Sequence, residues 1–200
     1  MIISNSEIKD IALGHLRGNW GGPILVTFVF GILSAATSSP LLSIFIGGPI
    51  AYGFILSFLA FVRGEKNDML SRMFCGFNDY GRALGLSFMV KLYVFLWSLL
   101  LFIPGIVKSY SYAMTFYISE DHKDYTVDQC IEASRVMMYG YKWKLFLLHL
   151  GFIGWALLAL IFTFGIGFLW LKPYIRTSEA VFYEELKRER EEKINEGNVF

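Results

Sequence analysis

Charged residues are scarce in this sequence, and they are unevenly spread. Asp, Glu, Lys and Arg make up 18% of the chain, whereas soluble domains usually carry about 25%. Residues 21–62 form a run of 42 residues that contains none of the four. One transmembrane helix needs roughly 20 apolar residues, so this run has the length of two. The pattern predicts an integral membrane protein and excludes an ordinary soluble domain.

Motifs for metal binding, disulfide frameworks and catalysis are also missing. Cys75 and Cys130 lack a CxxC or CxxH partner, so we expect two free thiols. His15, His122 and His149 have no second histidine at helical spacing, and the chain contains no HExxH, GxSxG or phosphate-binding loop. We therefore predict no catalytic, cofactor or metal site, and no enzyme. The net charge of +1 gives no indication of nucleic-acid binding.

Apolar stretches alternate with polar segments along the whole chain. This alternation predicts one all-α, polytopic membrane domain over residues 1–200. Its expected parts are a surface helix at 4–17, a first helical hairpin at 23–62, a cytoplasmic segment at 63–82, a second hairpin at 84–119, a cytoplasmic surface helix at 120–143, a third hairpin at 145–186 and a charged tail at 187–200.

Capping signals support the two short amphipathic surface helices. Ser4 and Glu7 have the spacing of a capping box, and so do Thr126 and Gln129. Pro23 suits the first turn of the helix that follows.

Two topologies fit this division. In the first, three hairpins give six spans, with outer turns near 39–49, Pro104-Gly105 and 165–167. GGPIAYGF, IPGIVKSY and FGIGFLWL are then equivalent turns of a weak repeat. In the second there are four spans, residues 104–143 lie outside, and 145–171 is one long tilted helix. The positive-inside rule favours six spans, since that topology places four more cations in the cytoplasm: Lys123, Arg135, Lys142 and Lys144. Both topologies place the two termini in the cytoplasm.

Several segments resemble a family of bacterial integral membrane proteins known as domain-of-unknown-function family 975. The resemblance is carried by LRGNW at 16–20, FIPGI at 102–106, SRVMMYGYKWKLFLL at 134–148, FIGW at 152–155, GIGFLWLKPY at 165–174 and FYEEL at 182–186. It extends over nearly the whole chain. It implies a protein of the bacterial plasma membrane without catalytic residues, and it leaves the function open.

Polar side chains inside or beside the apolar stretches are the candidate contacts for a ligand or lipid. They are Lys91, Lys108, Lys172, Arg176 and His149. Charges at membrane depth are costly and often functional, although a lysine near a helix end also reaches the headgroups with its long side chain. His149 suits either helix packing or proton relay. In the six-span topology the four cations are expected to converge on one water-filled cavity. No acidic residue lies inside an apolar stretch to neutralise them, so an anionic ligand or lipid headgroup is favoured.

Three functions follow from these features. The first is non-enzymatic binding or organising of a lipid or a membrane partner, including a second copy of the chain. Ser43, Gly47 and Ala51, spaced four apart, offer a seam of small residues for such docking. The second is a small transporter or channel for an anionic or neutral solute, indicated by helices broken at Gly and Pro. The third is an intramembrane enzyme, which no motif supports.

Overall fold

In a computed structural model, the chain is an assembly of α-helices. The structure describes residues 3–37, 39–100, 102–163 and 165–195, and these contain no β-strand. Eleven α-helices lie in them: α1 (Asn5–Leu16), α2 (Gly21–Ala36), α3 (Pro40–Phe45), α4 (Gly47–Val62), α5 (Met69–Met73), α6 (Tyr80–Leu100), α7 (Phe102–Ser111), α8 (Thr115–Asp121), α9 (Val127–Met137), α10 (Lys142–Thr163) and α11 (Phe168–Asn195). The all-helical prediction is confirmed.

Most helices begin and end where the sequence signals predict. Ser4 and Thr126 cap α1 and α9, and both capping boxes are complete. Gly165 adopts a positive φ of 91° in the turn between α10 and α11, a conformation that glycine accepts without strain. The turn expected at Pro104-Gly105 is wrong in position, because both residues lie in the first turn of α7. Proline is tolerated there, since the first N–H groups of a helix have no intrahelical acceptor.

Three helix pairs pack antiparallel. In α2 and α4, Phe30 stacks on Phe54 at 4.0 Å between ring centroids, while a Cβ on Gly47 would contact the Thr37 hydroxyl. Tyr93 of α6 lies beside Tyr112, the residue that follows α7. Contacts closer to the connection join positions nearer in sequence, as two antiparallel helices require.

The third pair contradicts one element of the four-span topology. Phe152 of α10 packs edge-on against Tyr174 of α11, with 4.9 Å between the ring centroids. The chain has therefore turned back between them, and residues 145–171 are not one long helix. Gly167 sits in this turn, where its amide donates to the Thr163 hydroxyl at 2.8 Å.

Within the described ranges, three helices are long and apolar enough to cross a membrane: Leu42–Val62, Tyr80–Leu99 and Lys142–Thr163. A fourth candidate arises if α1 and α2, which meet at 99°, count as one broken span. Many large apolar side chains on these helices are exposed, such as Leu99 at 75% and Phe162 at 74%. These features are those of a membrane protein, because lipid is the solvent that such surfaces require.

Helix α4 is the centre of the assembly. Most of its side chains are buried, including Tyr52, Phe58 and Phe61. The segment after α4 turns back and packs along it, so that a Cβ on Gly53 would overlap the backbone carbonyl of Met73. The predicted cytoplasmic segment at 63–82 is thus folded closely against the first hairpin.

An ionic network joins the C-terminal ends of α4 and α8 to the middle of α11. Asp121 accepts hydrogen bonds from Arg63, Lys187 and Tyr183, each at 2.9 Å. Arg63 also pairs with Glu184 at 2.7 Å. Partial burial by itself would raise the pKa of Asp121, but hydrogen bonds from Lys187, Arg63 and Tyr183 outweigh it and hold this pKa below its ordinary value.

Asp121 should therefore stabilise the fold in a pH-dependent way. A depressed pKa means that stability is present above the ordinary Asp value, near 4, and is lost as the pH falls through the folded-state pKa. We expect Asp121→Asn to lower the free energy of unfolding by about 2 kcal/mol at neutral pH. The difference from the wild type should shrink as the pH is lowered below about 4. Unfolding midpoints of both proteins across this range measure it, and a difference that is constant with pH would contradict the assignment.

Candidate functional site: a cavity between the helices

A cavity of about 200 Å³ lies where α4, α6, α7, α8, α10 and α11 meet. Most of its lining is apolar, with Ile55, Val90, Val94 and Leu145 among the contributing side chains. Polar groups enter the lining mainly from α10 and α11, which supply His149, Arg176 and Glu179. A mostly apolar cavity with a few convergent polar groups is the usual form of a small-molecule site.

The polar groups form one hydrogen-bonded chain. His149 Nε2 lies 2.9 Å from one Glu179 oxygen, and Arg176 donates to the other at 2.6 Å. The hydroxyl of Tyr110 lies 3.3 Å from His149 Nδ1. Because Glu179 is an acceptor, the neutral imidazole carries its proton on Nε2 and accepts from Tyr110 through Nδ1.

Tyr117 has a hydroxyl with no protein partner. Its side chain is 1% exposed, lines the cavity and stacks on Tyr183 with 5.1 Å between ring centroids. Among the described residues, nothing accepts from or donates to this hydroxyl. A buried hydroxyl without a hydrogen bond is costly, so it points to a partner that the described residues do not supply.

A break between two helices borders the same cavity. The chain leaves α7 at Ser111 and enters α8 at Thr115, and the residues between them, Tyr112, Ala113 and Met114, all line the cavity. Ser134 of α9 bridges this break, since its hydroxyl donates to the Ser111 carbonyl at 2.9 Å and accepts from the Met114 amide at 3.2 Å. Two of the backbone groups at the break are thereby satisfied.

The expected convergence of four cations is wrong for the lysines. Lys91 is exposed, and its amine lies 3.4 Å from the Ser43 carbonyl. Lys108 lies over the Trp97 ring, 4.4 Å from its centroid. Lys172 is exposed. Long, flexible lysine side chains reach outward from the helices, whereas Arg176 and His149 are brought together at the cavity.

Glu179 and Tyr117 are the site residues that the sequence did not reveal. The expectation that no carboxylate neutralises the cations is wrong for Arg176, whose partner Glu179 lies just beyond the last apolar stretch. The i, i+3 spacing of Arg176 and Glu179 on one helix was the available signal. Nothing in the sequence distinguishes Tyr117 from the other ten tyrosines.

Comparison with known families assigns the chain. The family model described as a protein of unknown function, DUF975, matches residues 1–111 and 99–190. The protein therefore belongs to this family, as the motifs indicated. No curated protein matches the chain, and no solved structure matches it.

Proposed function

We propose that this protein is a non-enzymatic component of the bacterial plasma membrane that binds a small amphipathic molecule, a lipid or a lipid-derived compound, in its central cavity. The observation that carries the proposal is the buried, unpartnered hydroxyl of Tyr117, whose side chain lines the cavity together with Arg176, Glu179 and His149. The polar groups suit the head of such a ligand, and the aliphatic lining suits its body.

The proposed topology has six spans and both termini in the cytoplasm. Helix α10, with 22 residues, is about 33 Å long and matches a hydrocarbon core of about 30 Å. Trp143 at its start is 67% exposed, and Trp170, beyond the turn at its other end, is 49% exposed. Aromatic side chains near both ends of a helix pair are typical of two membrane interfaces. The antiparallel packing of the three pairs supports the same topology.

Filling the cavity should abolish binding. Ala113 lines it, so Ala113→Leu adds bulk where the ligand is proposed to sit. The protein is extracted in mild detergent and weighed intact by native mass spectrometry. We expect the wild type to carry an added mass that Ala113→Leu lacks, while Ala35→Leu on the exposed surface of α2 retains it. Equal masses for wild type and Ala113→Leu would contradict the proposal.

Transport is a second candidate, favoured by the helix break at residues 112–114 beside the cavity. Transporters build their sites from interrupted helices because the interruption frees backbone groups and allows movement. The test measures solute flux into vesicles reconstituted with the protein. A flux that Ala113→Leu abolishes would favour transport over binding alone as the function.

Association with a membrane partner or with a second copy stays a proposal with weaker support. The seam of small residues is half-buried within the chain, and Gly47 already approaches Thr37, the residue that follows α2. Less of the seam is therefore accessible for docking than the sequence suggested.

A further inference from the structure

We infer that the cavity holds the carboxylate of a short amphipathic acid, and that a proton on His149 compensates its charge. This inference rests on the proposed function and names the chemistry of its ligand. The carboxylate belongs either to a free short-chain acid or to a fatty acid derived from lipid.

The balance of donors and acceptors indicates an acceptor as the ligand head. Arg176 has five N–H groups, and among the described residues its only hydrogen-bond partner is Glu179. Tyr117 adds a hydroxyl without a partner at the same cavity. Both Glu179 oxygens are engaged, one by His149 and the other by Arg176. The cavity therefore has surplus donors, and a planar carboxylate is the group that a guanidinium binds best.

The charges of the site balance when one anion and one additional proton are bound. Arg176 and Glu179 neutralise each other, so a bound carboxylate would leave one negative charge inside the protein. Protonation of His149 removes it. In the protonated imidazole, Nε2–H still donates to Glu179 and Nδ1–H donates to the Tyr110 oxygen, so both ring nitrogens remain hydrogen-bonded.

Among the described residues, Glu179 is the one carboxylate that contacts His149. The groups that face it are Tyr110 from α7, Glu179 and Arg176 from α11, and Tyr117 from α8 across the cavity. Lys9 of α1 lies farther along α10, over the ring of Phe152. The positive charge of Lys9 favours the bound carboxylate. It does so equally whether His149 is neutral or protonated.

The body of the ligand faces aliphatic and aromatic side chains. Val90, Val94 and Phe116 line the side of the cavity contributed by α6 and α8. A chain of several carbons buries apolar surface there, whereas inorganic phosphate buries none. The inferred class is therefore a monocarboxylate with an apolar tail.

The test is a binding titration of the full chain in phosphatidylcholine nanodiscs, with hexanoate as the short acid, palmitate as the lipid-derived acid, and hexanamide and phosphate as controls. We expect hexanoate or palmitate to bind and both controls to fail. Binding of hexanoate assigns a free short acid, and binding of palmitate alone assigns a fatty acid. Tyr117→Phe removes only the unpartnered hydroxyl and should weaken binding about tenfold, whereas Tyr139→Phe, at a side chain that is 82% exposed, should not.

Proton uptake provides a second readout. Binding of hexanoate should take up a proton at His149, measured as a pH change in a weakly buffered sample, and His149→Gln should remove this uptake. Equal affinity for hexanamide and hexanoate, or a Tyr117→Phe protein that binds as the wild type does, would overturn the inference. If no probe binds but the wild type still carries a mass that Ala113→Leu lacks, the carboxylate assignment fails and the proposed function stands. If that mass is also missing, both fail.

Discussion

Glu179→Leu is expected to lower the free energy of unfolding by about 3 kcal/mol, because it leaves the Arg176 guanidinium among helices without its carboxylate. The Glu179 side chain is only 13% exposed, and Arg176, at 35%, lines the cavity. Water therefore replaces the lost partner only in part. Arg176→Met should cost a similar amount, since it leaves the buried carboxylate with His149 alone.

The double variant distinguishes the energetic coupling of Arg176 and Glu179 from simple losses of packing. Arg176→Met with Glu179→Leu replaces both charges by apolar groups of similar size, which is often neutral or stabilising. We expect the double variant to be more stable than either single variant in a denaturant titration of the detergent-solubilised protein. Losses that add across the two sites would show that the pair is not coupled.

Gly53→Ala is expected to destabilise the protein by about 3 kcal/mol or more, through overlap with backbone that cannot move aside. A Cβ at Gly53 would meet the carbonyl of Met73, where α5 packs on α4. Met73 is itself fully buried in the core with Phe58 and Phe61. The loss should appear as a lower unfolding temperature.

Gly14→Ala is the matched control for Gly53→Ala. Gly14 lies within α1, and a Cβ there would have open space around it. Alanine is favoured over glycine inside a helix, so this change should stabilise by about 0.5–1 kcal/mol. If both variants behave alike, the close approach of α5 to α4 is incorrect.

Local signals in the sequence predict the helix ends well, because capping and turn conformation depend on nearby residues. Ser4, Thr126 and Gly165 all occupy their expected positions. Hydropathy similarly predicts apolar helices. The return of α5 along α4 was missed because it depends on Gly53 and Met73, twenty residues apart.

The site was predicted only in part, for a related reason. Arg176 and His149 were candidates because a polar group near an apolar stretch is conspicuous in sequence. Which cations meet depends on the rotation of each helix and on the reach of each side chain, and periodicity does not specify either. Lys108 thus lies over Trp97, while Glu179 supplies the carboxylate that hydropathy did not indicate.

The proposed topology is tested most directly by asking which side of the membrane α9 faces. Cys130 is unsuitable as a reporter because it is fully buried, so both native cysteines are replaced by Ala and Glu132→Cys is introduced at an exposed position. Ala36→Cys, near the predicted outer turn, serves as the opposite control. Intact cells are treated with a membrane-impermeant maleimide. The six-span account predicts that Glu132→Cys labels only after the membrane is opened and that Ala36→Cys labels in intact cells. Labelling of Glu132→Cys in intact cells would contradict it.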